Sequence, residues 1–336
     1  MADTIKIGNL DISAFKVGSS DCKIYLGDTL LYRHDYSKDY LTFVATESGT
    51  FTFNGNDIDY SLDSGETWTT LSNGTATPTI TANSSILWKA SGLTPTSSIG
   101  IGTFSSTANF TAQGNIMSLH FGDNFSGQTS LSSKSYAYST LFSGCTTLTS
   151  AKNMLLPATT LSTNCYTSMF YGCTSLTTAP ELPATTLANY CYQNMFYGCT
   201  SLTTAPSLPA TTLTASCYRD MFNGCISLSV APELPATNLS GGYYCYCGMF
   251  YGCTSLTESP ILSATTLVSS CYYNMFRNCS NLSSVTCLAT DISASNCTRN
   301  WLVYVASNGT FNKAASMSSW TSGGSGIPNG WTVQDV

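Results

Sequence analysis

Cysteine is the residue type whose number and spacing in this sequence most suggest chemistry. The chain has 15 cysteines among 336 residues, and twelve of them fall into two regular columns. A cysteine of the second column is followed, eight residues later, by one of the first column wherever a next copy exists. The first column is Cys145, Cys173, Cys199, Cys225, Cys253 and Cys279, and the second is Cys165, Cys191, Cys217, Cys245, Cys271 and Cys297.

Three kinds of chemistry fit such columns. Free cysteine is a small and commonly buried apolar residue, so the favoured interpretation is two columns of buried thiols. A ladder of disulfides is the second interpretation. Zinc is the third, but the C-x-C pair at Cys245 and Cys247 lacks a partner pair, and the two histidines, His34 and His120, lie outside the cysteine columns.

Charged residues offer little catalytic chemistry, and the sequence predicts a non-enzymatic protein without cofactor or metal. Glu181, Glu233 and Glu258 occupy nearby positions of successive copies, where they are better explained as solubilising surface than as the facing carboxylate pair that a glycosidase requires. No histidine lies among the copies to activate a serine or cysteine nucleophile.

One short motif invites a catalytic interpretation. Ser61 to Trp68, "SLDSGETW", matches the Asp-box and in this respect resembles sialidases, where the motif recurs on several blades of a propeller. A single copy cannot make a propeller. The motif therefore predicts a stabilised hairpin in which Asp63 accepts backbone N–H bonds, Gly65 adopts positive φ and Trp68 packs on the turn.

Composition excludes several classes of protein. Only 9% of the residues are charged and the formal net charge is −6, whereas nucleic-acid binding requires clustered Lys and Arg. No segment has the ~20 apolar residues of a membrane helix, so neither nucleic acid nor membrane insertion is expected. The first 15 residues lack a basic start and an apolar run, and we therefore expect no secretory signal there.

The cysteines belong to repeats, and these repeats are the elements that position every candidate residue. Copies begin at Leu141, Met169, Met195, Met221, Met249 and Met275, with a seventh start at Trp301, in steps of 28, 26, 26, 28, 26 and 26 residues. Units of this length bury their apolar faces by stacking on one another. Within a copy, we expect a short strand at "LTTAPELP", a turn at "ATTL" and a helical or 3₁₀ turn at "YCYQNMF".

The Phe-x-x-Cys, Ser-Leu-Thr and Leu-Pro pattern of these copies resembles the BspA-type leucine-rich repeats. "MFYGCTSLTTAPELPATTLANYCYQN" looks like the longer variant found in surface and phage-encoded proteins of gut Bacteroidales, and the resemblance covers about residues 136–300. It implies a right-handed solenoid with a role in adhesion, and it names no ligand.

Positions that differ between the copies indicate where a ligand would bind. They follow "CY" and "MF" in each copy, and they should project outward because stacking constrains the inward positions. Tyrosine, amide and arginine side chains suit contact with glycans or proteins. The other interpretation is unselected drift at a solvent-exposed surface. The candidate ligand-binding residues are Tyr171, Tyr197, Arg219, Asp220, Tyr251, Tyr273 and Arg277.

The predicted fold is mainly β, in four parts. Residues 1–38 form a small β attachment module in which "IKIGNLDI" and "KIYLGDTLLYR" are short strands and Gly27-Asp28 is a hairpin turn. Residues 39–135 alternate polar and apolar positions, which predicts a β-sandwich-like domain. The leucine-rich repeats follow at 136–300. A C-terminal cap at 301–336 covers the last copy with Trp301, Phe311, Trp320 and Trp331.

The expected function follows from these parts. "KVGSSDCKIYLGDTLLY" resembles N-terminal segments of structural proteins of gut bacteriophages, which implies docking on other virion proteins. The alternative is that this segment is an ordinary N-terminal hairpin of the next domain. The favoured interpretation is a virion fibre or appendage protein whose repeats adhere to a host-surface or mucosal glycan or protein, and which forms a homo-oligomer such as a trimer. The alternatives are a bacterial cell-surface adhesin and a purely structural decoration protein of the virion.

Overall fold

The computed structural model describes the backbone of residues 5–7, 10–12, 23–26 and 29–33, together with residues 34–90, 92–93, 100–318 and 320–336. In these ranges the protein is mainly β, as predicted, and helix is confined to α1 (Ser118–Phe121) and two 3₁₀ turns at Tyr36–Lys38 and Gly122–Asn124. The strands are β1 (Ile5–Ile7), β2 (Leu10–Ile12), β3 (Lys23–Leu26), β4 (Thr29–Arg33), β5 (Leu41–Ala45), β6 (Phe51–Gly55), β7 (Ile58–Ser61), β8 (Thr69–Leu71), β9 (Ser85–Lys89), β10 (Gly102–Ser106), β11 (Phe110–Asn115), β12 (Leu148–Leu155), β13 (Glu258–Leu262), β14 (Ser284–Cys287), β15 (Thr310–Lys313) and β16 (Thr332–Asp335).

The N-terminal residues form two antiparallel pairs, β1 with β2 and β3 with β4. The short strands predicted for this region are therefore confirmed. The expected turn at Gly27-Asp28, and most of the segment that resembles phage proteins, lie outside the described residues.

Two sheets follow, and their inner faces are filled by aromatic side chains. The larger has the order β12-β11-β5-β9-β7-β8, and the smaller pairs β10 with β6. Phe43 of the first sheet lies 4.8 Å from Phe104 of the second, ring centroid to ring centroid, and Phe104 lies 4.6 Å from Phe53. Buried positions alternate with more exposed ones along most of β6 and along β9, which confirms the period-two pattern read from the sequence.

The first repeat copy is built into this sheet. Its strand β12 runs parallel to β11, and Phe142 of the same copy stacks on Phe104 with 5.7 Å between the ring centroids and 23° between the ring planes. One buried apolar cluster therefore continues from the sheets into the repeats.

The repeat copies stack in chain order through their backbones. Amides of one copy donate to carbonyls of the next, for example Tyr166 to Cys191 at 3.0 Å, Ser168 to Gln193 at 2.8 Å and Phe170 to Met195 at 2.9 Å. The phenylalanine rings of the "MF" pairs form a column with centroid separations of 5.3 to 5.8 Å. This column consists of Phe142, Phe170, Phe196, Phe222, Phe250 and Phe276.

The segment predicted as a helical or 3₁₀ turn is neither. It is a run of turns in which amides that point to the next copy alternate with amides that bond three residues back, such as Met169 to the carbonyl of Tyr166 at 3.2 Å. Every fourth residue has positive φ, as Asn164 at 57°, Ser168 at 54° and Gly172 at 69° show. A helix cannot include such residues, since the left-handed conformation reverses the path of the chain.

The strand predicted at "LTTAPELP" is regular only in the outer copies, as β12, β13 and β14. In the inner copies it shrinks to isolated parallel bridges, Thr178 with Thr204 and Thr204 with Val230. Pro180 and Pro206 follow two residues after these bridges, and proline has no N–H to donate to a ladder; at the equivalent Pro260 the strand β13 continues, but its register shifts between Glu258 and Ile261.

The C-terminal residues cover the last copy. Strands β13, β14, β15 and β16 form a parallel sheet in that order. Trp301 lies 6.0 Å from Tyr272 with 11° between their planes, and Trp320 lies 5.6 Å from Trp301 at 8°. Phe311 lies 6.0 Å from Trp301, and the indole of Trp331 donates to the carbonyl of Ala306 at 2.9 Å. In the described ranges, no helix reaches the length and apolarity required to cross a membrane.

Candidate ligand-binding face

The run of turns alternates two inward with two outward residues, and the outward pairs form the candidate face. Cys165-Tyr166 and Met169-Phe170 are buried, whereas Thr167-Ser168 and Tyr171-Gly172 are at least partly exposed. Because the stacking backbone bonds keep every copy in register, equivalent outward residues lie above one another. We use the name turn face for the two outward pairs of each copy that correspond to 167–168 and 171–172.

The inward thiols are held in a way that makes them unreactive. Sγ of Cys199 donates to the carbonyl of Phe170 at 3.1 Å, and Cys173, Cys225, Cys253 and Cys279 donate to the equivalent carbonyls at 2.9 to 3.1 Å. Burial raises the pKa of Cys165 and of Cys199 to about 12. The described thiols are free and buried, which confirms the favoured interpretation of the two columns. Thiolate chemistry is therefore suppressed.

Two of the predicted tyrosines form a pair. Tyr171 and Tyr197 stack with 4.8 Å between ring centroids and 9° between ring planes. Tyr171 is 40% exposed, whereas Tyr197 is half-buried and its pKa is raised, first by burial and then by the charges of Tyr171 and Asp220. The pair presents a flat aromatic surface, which is suited to the apolar face of a sugar ring.

The next two predicted residues form a polar cluster one copy further along. Nε of Arg219 lies 3.3 Å from Oδ2 of Asp220, and Nδ2 of Asn223 donates to Oδ1 of Asp220 at 3.0 Å. The guanidinium carbon of Arg219 lies 5.7 Å from the ring centroid of Tyr244. Gly248 allows this arrangement, because a Cβ there would collide with the carboxylate of Asp220.

The remaining predicted residues lie on the last copies and contact side chains of their neighbours. The hydroxyl of Tyr251 accepts from Nδ2 of Asn278 at 3.0 Å. Arg277 lies over the ring of Tyr304, and Tyr273 lies beneath Arg299, each with 5.9 Å from guanidinium carbon to ring centroid.

The structure thus brings the candidates together in three groups along one face rather than in a single pocket. Sequence reasoning missed three partners, Tyr244, Asn278 and Tyr304, whereas Arg299 belongs to the varying positions that were expected to project outward. All three missed residues have positive φ, so the four-residue period of left-handed positions was the available signal. One outward pair was predicted wrongly: Cys247 and Gly248 are both buried, since Gly248 packs against the carboxylate of Asp220 of the preceding copy.

The Asp-box hairpin has the structural role that its sequence predicts. Asp63 accepts from the backbone N–H of Thr67 at 2.9 Å, Gly65 has φ of 92° and the indole of Trp68 donates to the carbonyl of Gly65 at 3.1 Å. The hydrogen bonds from Thr67 lower the pKa of Asp63 to about 2. Across the described ranges, no three His, Cys, Asp or Glu side chains are grouped in a way that could hold a metal ion.

No protein-family model matches the chain, and neither the curated proteins nor the solved structures contain a match to it.

Proposed function

We propose that this protein is a non-enzymatic adhesin, and that its repeats form a leucine-rich-repeat solenoid of the BspA type. The observation that supports the proposal is that each copy has two kinds of position, constant inward ones and varying outward ones. Inward columns of Cys, Tyr, Met and Phe are nearly constant and buried, whereas the outward pairs vary and carry Tyr, Asn and Arg. A rigid stack that varies only on its outer face is an economical scaffold for recognition.

We further propose that the protein is a fibre or appendage of a bacteriophage particle. In this proposal residues 1–38 attach to other virion proteins, residues 39–135 serve as a spacer, and the repeats at 136–300 contact a glycan or protein of the host or of mucus. The support is the resemblance of the N-terminal segment and of the repeats to phage-encoded proteins. A trimer would multiply weak contacts into firm attachment.

The adhesive role is tested by removing the aromatic part of the turn face. The triple variant Tyr171→Ala, Tyr197→Ala, Tyr251→Ala should lose most of the binding of the full chain to immobilised mucin glycans and to host cells, as measured by surface plasmon resonance and a cell-binding assay. Its circular dichroism should match that of the wild type.

The matched control removes three exposed apolar side chains that lie outside the turn face. Ile226, Val230 and Ile261 are 47%, 65% and 58% exposed, and the variant with alanine at all three should bind as the wild type does. Failure of the wild-type chain to bind any glycan or cell would leave only a structural role. Mass spectrometry of purified particles tests the virion location separately, since a cell-surface adhesin would be absent from them.

A further inference from the structure

The last copies carry a concentration of positive charge that the rest of the repeats lack. Arg219, Arg277 and Arg299 are the arginines within 141–300, and Lys152 is the lysine. Arg219 is neutralised by Asp220. Neither Arg277 nor Arg299 forms an ion pair with a carboxylate of the described ranges, although the chain as a whole has a formal net charge of −6.

Arg277 and Arg299 lie on adjacent copies around one residue, Asn274. The backbone N–H of Asn274 donates to the carbonyl of Arg299 at 3.0 Å, and the N–H of Arg277 donates to the carbonyl of Asn274 at 3.1 Å. Both arginines belong to the turn face, one at the position equivalent to 171 and the other at the position equivalent to 167. The two arginines therefore stand at neighbouring positions of the turn face, and we refer to the surface formed by Asn274, Arg277 and Arg299 as this patch.

The hydrogen-bonding capacity of this patch is incompletely used. Nε of Arg277 and Oδ1 of Asn274 are both covered and have no hydrogen-bond partner among the described residues. A covered donor without a partner is costly, so Arg277 gains a hydrogen bond when it turns towards an anion. The ring that it now covers, Tyr304, is 70% exposed, and little packing opposes such a movement.

We propose that this patch recognises a carboxylate-bearing sugar, such as a sialic or uronic acid residue at the end of a glycan. Arg277 and Arg299 would bind the carboxylate, since the guanidinium fork matches its geometry. The rings of Tyr273 and Tyr304 would contact the sugar face. Aromatic rings and amides beside the charge favour an acidic sugar over an acidic peptide. The inference rests on the proposed adhesive function.

The first test compares ligands on the full-length wild-type chain. Immobilised sialyllactose and glucuronate-terminated oligosaccharides should retain the protein at least about tenfold better than lactose, as one charge-assisted hydrogen bond implies, and better than a poly-glutamate peptide or 6-sulfo-lactose. Retention should weaken as NaCl is raised.

The second test uses a matched pair of variants. Arg277→Gln with Arg299→Gln should lose the preference for the acidic glycan, whereas Lys38→Gln with Lys134→Gln, which removes the same net charge elsewhere, should keep it. Equal retention of lactose and sialyllactose by the wild type, or preference for the peptide or the sulfated sugar, overturns the inference while glycan adhesion stands. Absence of all glycan binding overturns the proposed function with it. The comparison of acidic and neutral glycans on the wild-type chain tests the inference even if the arginine variant does not fold.

Discussion

Cys165 illustrates how burial alone determines what a side chain in the stack can do. Its thiol is fully buried, and desolvation raises its pKa from 9.0 to about 12. Cys217 and Cys287 have their pKa raised to about 12 for the same reason. In the unfolded chain these thiols ionise near pH 9, whereas in the folded chain they remain neutral. Ionisation therefore favours unfolding at high pH.

The thiols should make the protein labile to alkali. Their stabilising effect is fully present below pH 9 and is lost as the pH rises from 9 towards 12, by about 1.4 kcal/mol per pH unit for each thiol exposed on unfolding. Urea denaturation at pH 8, 9 and 10 measures this loss. The variant Cys217→Ala should lose about 1.4 kcal/mol less unfolding free energy per pH unit than the wild type, because it has one buried thiol fewer. A free energy of unfolding that does not change between pH 9 and 10 would contradict the explanation.

The run of turns is the element that most distinguishes this protein from a helical repeat. Asn194 stands at one of its left-handed positions with φ of 55°, and its N–H donates to the carbonyl of Arg219 on the next copy at 2.9 Å. Glycine and asparagine adopt this conformation at a lower cost than a β-branched residue does, and Thr140 is the β-branched residue found at an equivalent position, with φ of 59°. The path of the chain therefore depends on residue type at every fourth position.

Substitutions at Asn194 should separate conformation from packing. Asn194→Val should lower the free energy of unfolding by about 1–2 kcal/mol, since the left-handed conformation costs that much for an ordinary residue. Asn194→Gly should leave it nearly unchanged. Urea denaturation of the two variants provides the comparison, and equal losses would show that the asparagine side chain rather than the backbone is what matters.

Helix α1 meets the first repeat copy through His120. Its Nε2 lies 3.2 Å from the carbonyl of Ala137, its ring lies 4.9 Å from that of Tyr138, and burial lowers its pKa to about 4. The neutral imidazole therefore stabilises the fold above the unfolded pKa of 6.5. That contribution is lost as the pH falls through the window from 6.5 towards 4.

Acid should accordingly weaken this junction. Between pH 7 and pH 5 the free energy of unfolding of the wild type should fall by about 2 kcal/mol through His120. The reason is that this histidine becomes protonated in the unfolded chain, whereas burial keeps it neutral in the folded one. The variant His120→Gln should not show this loss, although it is less stable at pH 7. Thermal melts of both proteins at the two pH values measure the difference, and parallel pH dependence would exclude His120 as its source.

On the scale of the whole molecule, the stack is a series of nearly interchangeable units. Removal of residues 195–220 deletes one 26-residue copy and joins Asn194 to Met221, a junction of the same type as the one it replaces. The shortened protein should fold, since each copy contacts only its neighbours. Small-angle scattering should show a particle shorter by about 4.8 Å, one strand spacing. Deletion of 14 residues, half a copy of the longest length, should prevent folding.

Sequence alone predicted the columns of the stack because identical spacing puts identical side chains at equivalent places. Phe196 and Cys199 were placed inside, and Tyr171 outside, for that reason. The contacts between outward residues could not be predicted in this way. Arg219 reaches Tyr244 only because the backbone of one copy is hydrogen-bonded to the next in a particular register, and Tyr244 itself follows a two-residue insertion at the end of its copy. The left-handed run was missed because six different residue types, Asn, Ser, Asp, Gly, Tyr and Thr, serve at its positions.

The buried tyrosine rings of successive copies stack in a column, with 5.7 to 6.1 Å between neighbouring ring centroids. This column begins on Tyr138, whose hydroxyl donates to the carbonyl of Ile116, and ends on two indoles, Trp301 and Trp320. Both ends of the stack thus differ chemically from its middle, whereas the copies in the middle are nearly identical to one another. Unequal recombination between copies in the gene would alter the number of rungs without disturbing either terminus. The length of the stack can therefore change in a single genetic event.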